Sequence, residues 1–239
     1  MKSLIKKIIR FAKSPQVEHV YSAYSQAGED MILKFLFDSV GIKLPSYLEI
    51  GVYKPDFGSN TYIFYRRGSR GVCVEADETL IPAIKKLRSE DKVLNVGVGV
   101  QGNTKADFYI FDEPSLNTFD KEEAQFREKQ GTYKIVRVNK VELKDINTII
   151  SENFGTYPEL LSIDVEGLDL QVLQTLNYSK FPIPAICVET CAYSENHIKP
   201  KNEEITAFLL NNGYFVYGDT YINTIFVNHN WFYSRGKSL

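Results

Sequence analysis

YLEIG at residues 47–51 and GVCVE at residues 71–75 are the two segments from which the architecture of this chain can be inferred. Each is a short apolar run, which is typical of a strand buried in a sheet. The first ends at Gly51, which has no Cβ and lets the backbone approach a ligand closely, and the second ends at the carboxylate of Glu75. Ligands of open α/β sheets lie outside the carboxyl ends of the strands, and an acidic residue about 20 residues past the glycine turn binds ribose hydroxyls. The two segments therefore predict a nucleotide-type site with Glu75 on the ribose.

Strands and helices alternate along most of the remaining chain. Apolar runs predict further strands at residues 93–98, 160–164 and 185–189, with helices between them. Such alternation indicates parallel strands joined by helical crossovers. The closing pair of strands, at 214–217 and 223–228, is predicted to form an antiparallel edge. We therefore expect a Rossmann-like α/β fold with a seven-stranded, mostly parallel sheet and helices on both faces.

The predicted sheet is interrupted once and is preceded by an N-terminal segment. Residues 106–111 and 135–143 have the pattern of extended chain and are joined by a charged stretch, which predicts a small antiparallel insertion around residues 105–143. An apolar content of 44% over 239 residues fits one domain with one core. We divide the chain into residues 1–21, an N-terminal amphipathic helix and linker, and residues 22–239, the main domain.

Charge and cysteine usage narrow the class of partner. A net charge of −2 gives no basic surface for phosphates, which argues against nucleic acid. The three cysteines, Cys73, Cys187 and Cys191, form neither a disulfide framework nor a metal-ligand pattern. Because we find neither a secretory signal nor a stretch of about 18 apolar residues, we expect a cytoplasmic protein.

Residues 1–13 have apolar residues at helical spacing and five basic residues without an acidic one. This pattern predicts a basic amphipathic helix. Such a helix either caps the domain or a neighbouring subunit of a homo-oligomer, or attaches the protein peripherally to an anionic membrane face. We favour the first alternative.

The spacing of the glycines indicates which nucleotide fits. A dinucleotide site would have Gly-x-Gly-x-x-Gly opening a helix, so that the backbone contacts the pyrophosphate. Here Gly51 and Gly58 are seven residues apart, and the loop that holds them does not end in a Walker-type Gly-Lys-Ser/Thr, because Gly58 is followed by Ser59 and Asn60. A ligand with a ribose and a base but no pyrophosphate fits better, and S-adenosylmethionine is such a ligand. Asn95, after the third strand, is expected to form part of its adenine wall.

Five motifs, in the same order, resemble those of the FkbM-type S-adenosylmethionine-dependent methyltransferases. They are SQAGED at 25–30, LEIG at 48–51, SNTY at 59–62, RGSRGVCVEA at 67–76 and LSIDVEG at 161–167. The resemblance covers about residues 22–190. It implies a class I methyltransferase fold and methyl transfer to oxygen, commonly a sugar or polyketide hydroxyl.

The resemblance also implies which residues surround the cofactor. They are Gln26, Glu49, Gly51, Ser59, Asn60, Thr61 and Glu75. Ala76, which stands where the family frequently has Pro, extends this set. Ser115, at the start of the insertion, is expected either to reach the cofactor or substrate, or to belong to a Pro-containing turn.

Two carboxylates at the end of the strand at 160–164 are the candidate catalytic groups. Asp164 and Glu166 are predicted to open a helix at the carboxyl edge of the sheet, where they can align an acceptor hydroxyl and remove its proton. The alternative for Asp164 is an N-cap of the helix predicted at 166–176.

Two further residues of the same edge complete the candidate set. Glu189 ends the next strand and can hold a divalent cation such as Mg²⁺ together with Asp164, or can simply accept hydrogen bonds from neighbouring loops. His197 lies in the polar loop 190–200. Histidine has an unperturbed pKa suited to a general base, although a lone loop histidine is usually a solvated surface residue.

Together these patterns predict an S-adenosylmethionine-dependent O-methyltransferase that acts on a sugar hydroxyl, either nucleotide-activated or part of a surface polysaccharide. One alternative is an NAD-dependent oxidoreductase on the same type of sheet, against which the missing Gly-x-Gly-x-x-Gly argues. The other is a non-catalytic module recruited to a membrane by residues 1–13. The presence of Glu49, Glu75 and Asp164 argues against that second alternative.

Overall fold

The computed structural model describes residues 22–99, 104–191 and 201–234. The main sheet has seven strands, which are β1 (Tyr47–Ile50), β2 (Gly71–Val74), β3 (Lys92–Leu94), β7 (Leu160–Ile163), β8 (Ala185–Glu189), β9 (Tyr214–Asp219) and β10 (Asn223–Asn228). A smaller sheet contains β4 (Gly97–Val98), β5 (Lys105–Phe111) and β6 (Ile135–Lys144).

The strands of the main sheet follow the order β3-β2-β1-β7-β8-β10-β9. β1 pairs in parallel with β2 and β7, and all of its residues are buried. β3 extends the sheet in parallel beyond β2, and β8 does so beyond β7. β10 is antiparallel to both of its neighbours, β8 and β9. The predicted α/β fold with a seven-stranded, mostly parallel sheet is confirmed.

Helices cover both faces of this sheet. They are α1 (Glu29–Ser39), α2 (Tyr62–Arg67), α3 (Ile81–Leu87), α4 (Lys121–Gln130), α5 (Ile146–Asn153), α6 (Asp169–Thr175), α7 (Glu203–Asn211) and α8 (His229–Ser234). Ile149, Leu173 and Leu209 of α5, α6 and α7 belong to the core on one face, and Phe37 and Phe64 of α1 and α2 belong to the core on the other. Burying one such side chain stabilises the fold by about 1.5–3 kcal/mol. The helices therefore fix the sheet from both sides and leave its carboxyl edge free.

The strand predicted at 93–98 is split into two. Lys92–Leu94 pairs with β2 in the main sheet, whereas Gly97–Val98 pairs with β6 in the smaller sheet. A Cβ at Gly97 would lie 2.4 Å from the ring of Phe119 and 2.7 Å from the side chain of Leu143. Residues of the insertion therefore pack directly against this backbone. The insertion itself contains the predicted antiparallel pair, β5 with β6, and β4 joins it in parallel.

The closing pair of strands is antiparallel, as predicted, but only one of the two lies at the edge. β10 inserts between β8 and β9, so the last strand of the sequence is an interior strand. Its first five residues are all buried, whereas in β9 only the first residue, Tyr214, is buried. The apolar run at residues 225–227, at the centre of β10, fits an interior position, where both faces of the strand are covered.

Two predictions concern residues outside the described part of the chain, namely the helix at 1–13 and the role of His197. The division of the chain at residue 21 stays a prediction for the same reason. Within the described ranges, no helix has both the length and the apolar character needed to cross a bilayer.

Candidate active site

A cavity of about 450 Å³ opens at the carboxyl ends of β1, β2, β7 and β8. This volume lies in the range of small-molecule sites, and the position is where an open α/β sheet binds its ligand. Of the residues predicted to surround a cofactor, the wall contains Gln26, Gly51, Glu75, Ala76 and Ser115. The predicted catalytic and metal residues Asp164, Glu166 and Glu189 line the same cavity.

Gly51 forms part of the floor, and the structure gives its missing side chain a specific reason. Its φ is 82°, and a Cβ would lie 1.8 Å from the carbonyl oxygen of Asp164. The Gly51 N–H donates to the Val74 carbonyl at 3.0 Å, and the Asp164 N–H donates to the Ile50 carbonyl at 3.0 Å. The glycine is therefore needed for contact between two strand ends, a role that the sequence did not reveal.

Glu75 follows β2 and is held by its surroundings at the cavity wall. Its carboxylate accepts hydrogen bonds from the N–H of Tyr53 at 3.0 Å and from the N–H of Asp77 at 2.8 Å. Asn95 does not line the cavity, and its amide donates to the Glu75 carbonyl at 2.9 Å. Burial raises the pKa of Glu75 although these backbone N–H groups oppose the shift. The backbone N–H of Ala76 also interacts with this carboxylate, and of its roughly four acceptor sites about one remains for a ligand hydroxyl.

Glu49, Ser59 and Thr61 lie behind the floor rather than in the wall of the cavity. The Glu49 carboxylate accepts hydrogen bonds from Ser59 Oγ at 2.8 Å and from Thr61 Oγ1 at 2.7 Å, and it pairs with the fully buried Arg88. Asn60 likewise points away from the cavity and donates to another buried side chain, the hydroxyl of Ser162. These contacts support the strand end on which the site is built, and direct contact of the four residues with a cofactor stays a prediction.

Another part of the cavity wall is apolar, and half of its residues come from the insertion. Its members are Leu80, Val96, Val98, Phe108, Leu116 and Phe119. An apolar slot of this kind suits a flat aromatic base.

A short turn of the insertion, Pro114–Leu116, is held against the loop after β1. The Tyr53 hydroxyl donates to the Glu113 carboxylate at 3.0 Å, and the Ser115 hydroxyl donates to the same carboxylate at 3.0 Å. Ser115 therefore belongs to a Pro-containing turn and lines the cavity at the same time. Both alternatives considered for this residue are compatible with its position.

Three carboxylates converge on the side of the cavity formed by β7 and β8. Asp164, Glu166 and Glu189 each offer an oxygen, and these oxygens lie within 4.8 Å of one another. The Asp164 side chain is exposed to solvent within the cavity, although many protein atoms lie close around it. Burial raises the pKa of Asp164 well above its usual range, and the negative charges of Glu166 and Asp169 raise it further. Burial and the charge of Asp164 act in the same way on the pKa of Glu189.

A cluster of this composition has two chemical uses. Carboxylate oxygens at these distances suit a hard divalent cation, which takes oxygen ligands. Carboxylates with raised pKa values also suit proton transfer near neutrality. The two uses differ in whether the negative charge is compensated by an ion or by a proton.

The turn that carries Asp164 and Glu166 is not part of the following helix. α6 begins at Asp169, its N-cap is Leu168, and no side chain caps it, so both the predicted helix start at 166 and the N-cap alternative for Asp164 are wrong. The turn has left-handed backbone at Glu166 (φ 52°) and Gly167 (φ 108°). The Asp169 carboxylate stabilises it by accepting hydrogen bonds from the N–H groups of Val165 and Gly167.

The insertion also contacts this turn, through residues that the sequence did not single out. Arg127 of α4 is 4% exposed, and its guanidinium donates to the Glu166 carboxylate at 2.7 Å and to Glu123 at 2.8 Å. The Thr118 hydroxyl donates to the Glu166 carbonyl at 2.9 Å. Nothing in the charged sequence KEEAQFREKQ of α4 distinguishes Arg127 from its solvated neighbours.

Among solved structures, the chain is similar to the SAH-bound methyltransferase PaMTH1 of Podospora anserina, with 12% identity and a TM-score of 0.45 over 95% of this chain and 88% of that chain. It is also similar to a TehB-like SAM-dependent methyltransferase from Corynebacterium glutamicum, with 8% identity and a TM-score of 0.42 over 95% and 97% of the two chains. An O-methyltransferase from Bacillus cereus in complex with SAH gives 14% identity and a TM-score of 0.40 over 94% and 89%. No curated protein matches the chain.

The family follows from the sequence itself. A family model described as the methyltransferase FkbM domain matches residues 49–216, which include the floor, Glu75, the insertion and the carboxylate cluster. This match spans more than half of the chain, and the protein therefore belongs to the FkbM family of methyltransferases.

Proposed function

We propose that this protein is an S-adenosylmethionine-dependent O-methyltransferase that transfers a methyl group to a sugar hydroxyl, either nucleotide-activated or part of a polysaccharide. The observation that carries the proposal is the presence, in one cavity, of the Glu75 carboxylate and of the carboxylate cluster Asp164, Glu166 and Glu189. The first suits the hydroxyls of a ribose. The second suits an acceptor hydroxyl that must lose a proton.

The cavity has the parts that S-adenosylmethionine requires. Gly51 offers a backbone floor, the Glu75 carboxylate lines the cavity where it could accept a ribose hydroxyl, and the apolar residues around Phe108 suit the adenine. The bound cofactor supplies an electrophilic methyl group on sulfur. The residues of this chain then have to hold the acceptor in line with that group and to take up the proton.

Asp164 is the proposed proton acceptor. It takes the proton that the acceptor hydroxyl loses as the hydroxyl oxygen gains the methyl group. Burial and neighbouring charges raise the pKa of Asp164, which makes its carboxylate a stronger base than an ordinary one. Glu166 is engaged by Arg127, so Asp164 is better placed for proton transfer.

A divalent cation is the alternative use of the same carboxylates, because an ion held by Asp164 would favour the ionised form of that carboxylate. Asp164 and Glu189 would hold an ion such as Mg²⁺, which would offset their mutual repulsion and polarise the acceptor hydroxyl. Full turnover in excess EDTA would remove the cation from the proposal and leave Asp164 as the base.

A screen of nucleotide sugars with S-adenosylmethionine, read by mass, tests the reaction. The parent protein should add one methyl group to at least one sugar, and Asp164→Asn should slow transfer by roughly 10² to 10⁴ without weakening the binding of S-adenosylhomocysteine. Asp107→Asn, which changes an accessible carboxylate on β5, is the matched control. Binding of S-adenosylhomocysteine without transfer to any sugar would reject the acceptor class.

His197 remains the other candidate for the base. If it accepts the proton, His197→Gln should slow transfer as strongly as Asp164→Asn does. Equal rates for His197→Gln and the parent would leave Asp164 in that role.

Peripheral membrane contact and self-association through residues 1–13 are also proposals. Co-sedimentation with anionic vesicles and the oligomeric state, each measured with and without these residues, distinguish the two.

A further inference from the structure

The charges that line the cavity are distributed unevenly. Among the described lining residues, the carboxylates are Glu75, Glu113, Asp164, Glu166 and Glu189, whereas Lys54 is the one basic side chain. An acceptor with a negative group would be repelled from the carboxylate cluster. Lys54 offers the position in the wall where such a group can be compensated.

Lys54 lies on two aromatic rings at the mouth of the cavity. Its ammonium is 5.0 Å from the ring centroid of Tyr53 and 5.6 Å from that of Phe57. These distances are in the range of cation–π interactions, which orient the ammonium. Within the described residues, Lys54 forms no ion pair within 4.0 Å, but at longer range its charge helps to lower the pKa of Glu113. An anionic group of a ligand would therefore compete with Glu113 for this charge.

Hydrogen bonds hold the Tyr53 ring in place, whereas the Phe57 ring is largely exposed to solvent. The Tyr53 hydroxyl donates to Glu113, and the backbone N–H of Tyr53 donates to Glu75. Phe57, in contrast, is 70% exposed although it lines the cavity. A large exposed ring at the mouth of a polar cavity is suited to stack on the apolar face of a sugar.

We propose that Lys54 and Phe57 form the acceptor subsite, in which Lys54 binds an anionic group of the sugar substrate and Phe57 packs against a sugar ring. The anionic group is a carboxylate on the sugar or the phosphate of a nucleotide sugar. This proposal rests on the proposed function and deepens it. It also sets the orientation of the acceptor, because the anionic group faces Lys54 while the reacting hydroxyl faces Asp164.

The test measures the binding of three probes to the protein saturated with S-adenosylhomocysteine. Methyl glucuronide carries a carboxylate, UDP-glucose carries phosphates, and methyl glucoside carries neither. We expect Lys54→Met to weaken the binding of at least one anionic probe by about 2- to 5-fold, to leave methyl glucoside unchanged and to be rescued in part by Lys54→Arg. Lys85→Met, at an exposed position of α3, is the control.

The anionic probe that responds identifies the group. Loss confined to methyl glucuronide indicates a carboxylate, and loss confined to UDP-glucose indicates a phosphate. A parent protein that binds neither anionic probe better than methyl glucoside, or a Lys54→Met variant that binds all three as the parent does, overturns the proposal. So does a variant whose only defect is weaker binding of S-adenosylhomocysteine, because Lys54 would then serve the cofactor.

Failure of the proposed function gives a different result. In that case the anionic probes still bind in a Lys54-dependent manner, but no sugar is methylated in the mass-based screen.

Discussion

At the scale of single residues, Gly51 shows how strongly one position is constrained. An added Cβ would meet the Asp164 carbonyl oxygen, and the backbone is left-handed at the same time. At Gly41, where φ is 80° and nothing lies within 4 Å of an added Cβ, only the backbone cost applies. A substitution at Gly41 therefore measures the backbone strain alone, and a substitution at Gly51 measures that strain together with the steric clash.

We expect Gly41→Ala to lower the free energy of unfolding by about 1–2 kcal/mol, the cost of a left-handed non-glycine residue. Gly51→Ala should lower it by about 2 kcal/mol more, because the Asp164 backbone must move. Urea denaturation of both variants measures the difference. Equal losses would show that the contact with Asp164 relaxes without cost.

The carboxylate cluster and the neighbouring Asp169 together predict how stability depends on pH. Burial raises the pKa of Asp169 from 3.8 to about 6, and burial also raises the pKa values of Asp164 and Glu189. An acid whose pKa is raised by folding stabilises the fold below its unfolded pKa, and that stabilisation is lost as the pH rises through the folded pKa. The cluster should therefore reduce the free energy of unfolding as the pH rises from about 4 through 6 and above.

Asp164→Asn should make this decline shallower, because the group no longer ionises and the repulsion on Glu189 falls. Denaturant titrations of the parent and the variant at several pH values provide the measurement. The same variant should lose the rise in transfer rate that accompanies ionisation of the base in the parent. A decline of unchanged steepness in Asp164→Asn would contradict the assignment of the cluster.

At the scale of elements, the insertion contributes residues to the candidate active site and supports its turns. Arg127 and Thr118 hold the turn with Glu166, and the turn Pro114–Leu116 is held against Tyr53 through Glu113. The insertion, which is distant in sequence from β7, therefore sets the position of the Glu166 carboxylate.

We expect Arg127→Gln to lower the free energy of unfolding by about 3 kcal/mol, the lower end for a broken buried ion pair, since Glu166 retains some exposure. It should also reduce the rate of transfer more than it weakens cofactor binding, because the turn next to Asp164 loses its support. Glu123→Gln removes the other ion pair of Arg127 and should cost less than about 1 kcal/mol. Similar effects of the two substitutions on the transfer rate would show that Glu166 has no special part.

The elements themselves were largely predictable, because short apolar runs record burial. What those runs do not record is the partner of each strand. The split at Gly97 depends on Phe119 and Leu143, and the interior place of β10 depends on which strand it pairs with. The same limit applies to the site. The sequence indicated Glu75 and Asp164 at strand ends, but the roles of Arg88 and Arg127 depend on contacts between distant segments.

At the scale of the whole molecule, a ligand that binds only the folded state stabilises it by mass action. S-adenosylhomocysteine at 100 times its dissociation constant should add about 2.7 kcal/mol, which for a chain of this size raises the melting temperature by roughly 5–10 °C. NAD should give no such shift, because the cavity lacks the glycine turn for a pyrophosphate.

Glu75→Ala should abolish most of the shift at the same ligand concentration, since the ribose contact is lost. Glu78→Ala, at an accessible carboxylate outside the cavity, should retain it. Thermal denaturation followed by circular dichroism gives both values. A full shift in Glu75→Ala would remove Glu75 from the cofactor site.

Because Gly51 contacts the backbone of Asp164 directly, the distance between these two residues depends on the spacing of the strands that carry them. β1 and β7 are adjacent, and neighbouring strands lie about 4.8 Å apart. For the reaction proposed here, the offset between the cofactor floor and the base is therefore fixed by main-chain hydrogen bonding. Loop residues can therefore change which acceptor molecules bind without changing the distance between the cofactor floor and the base.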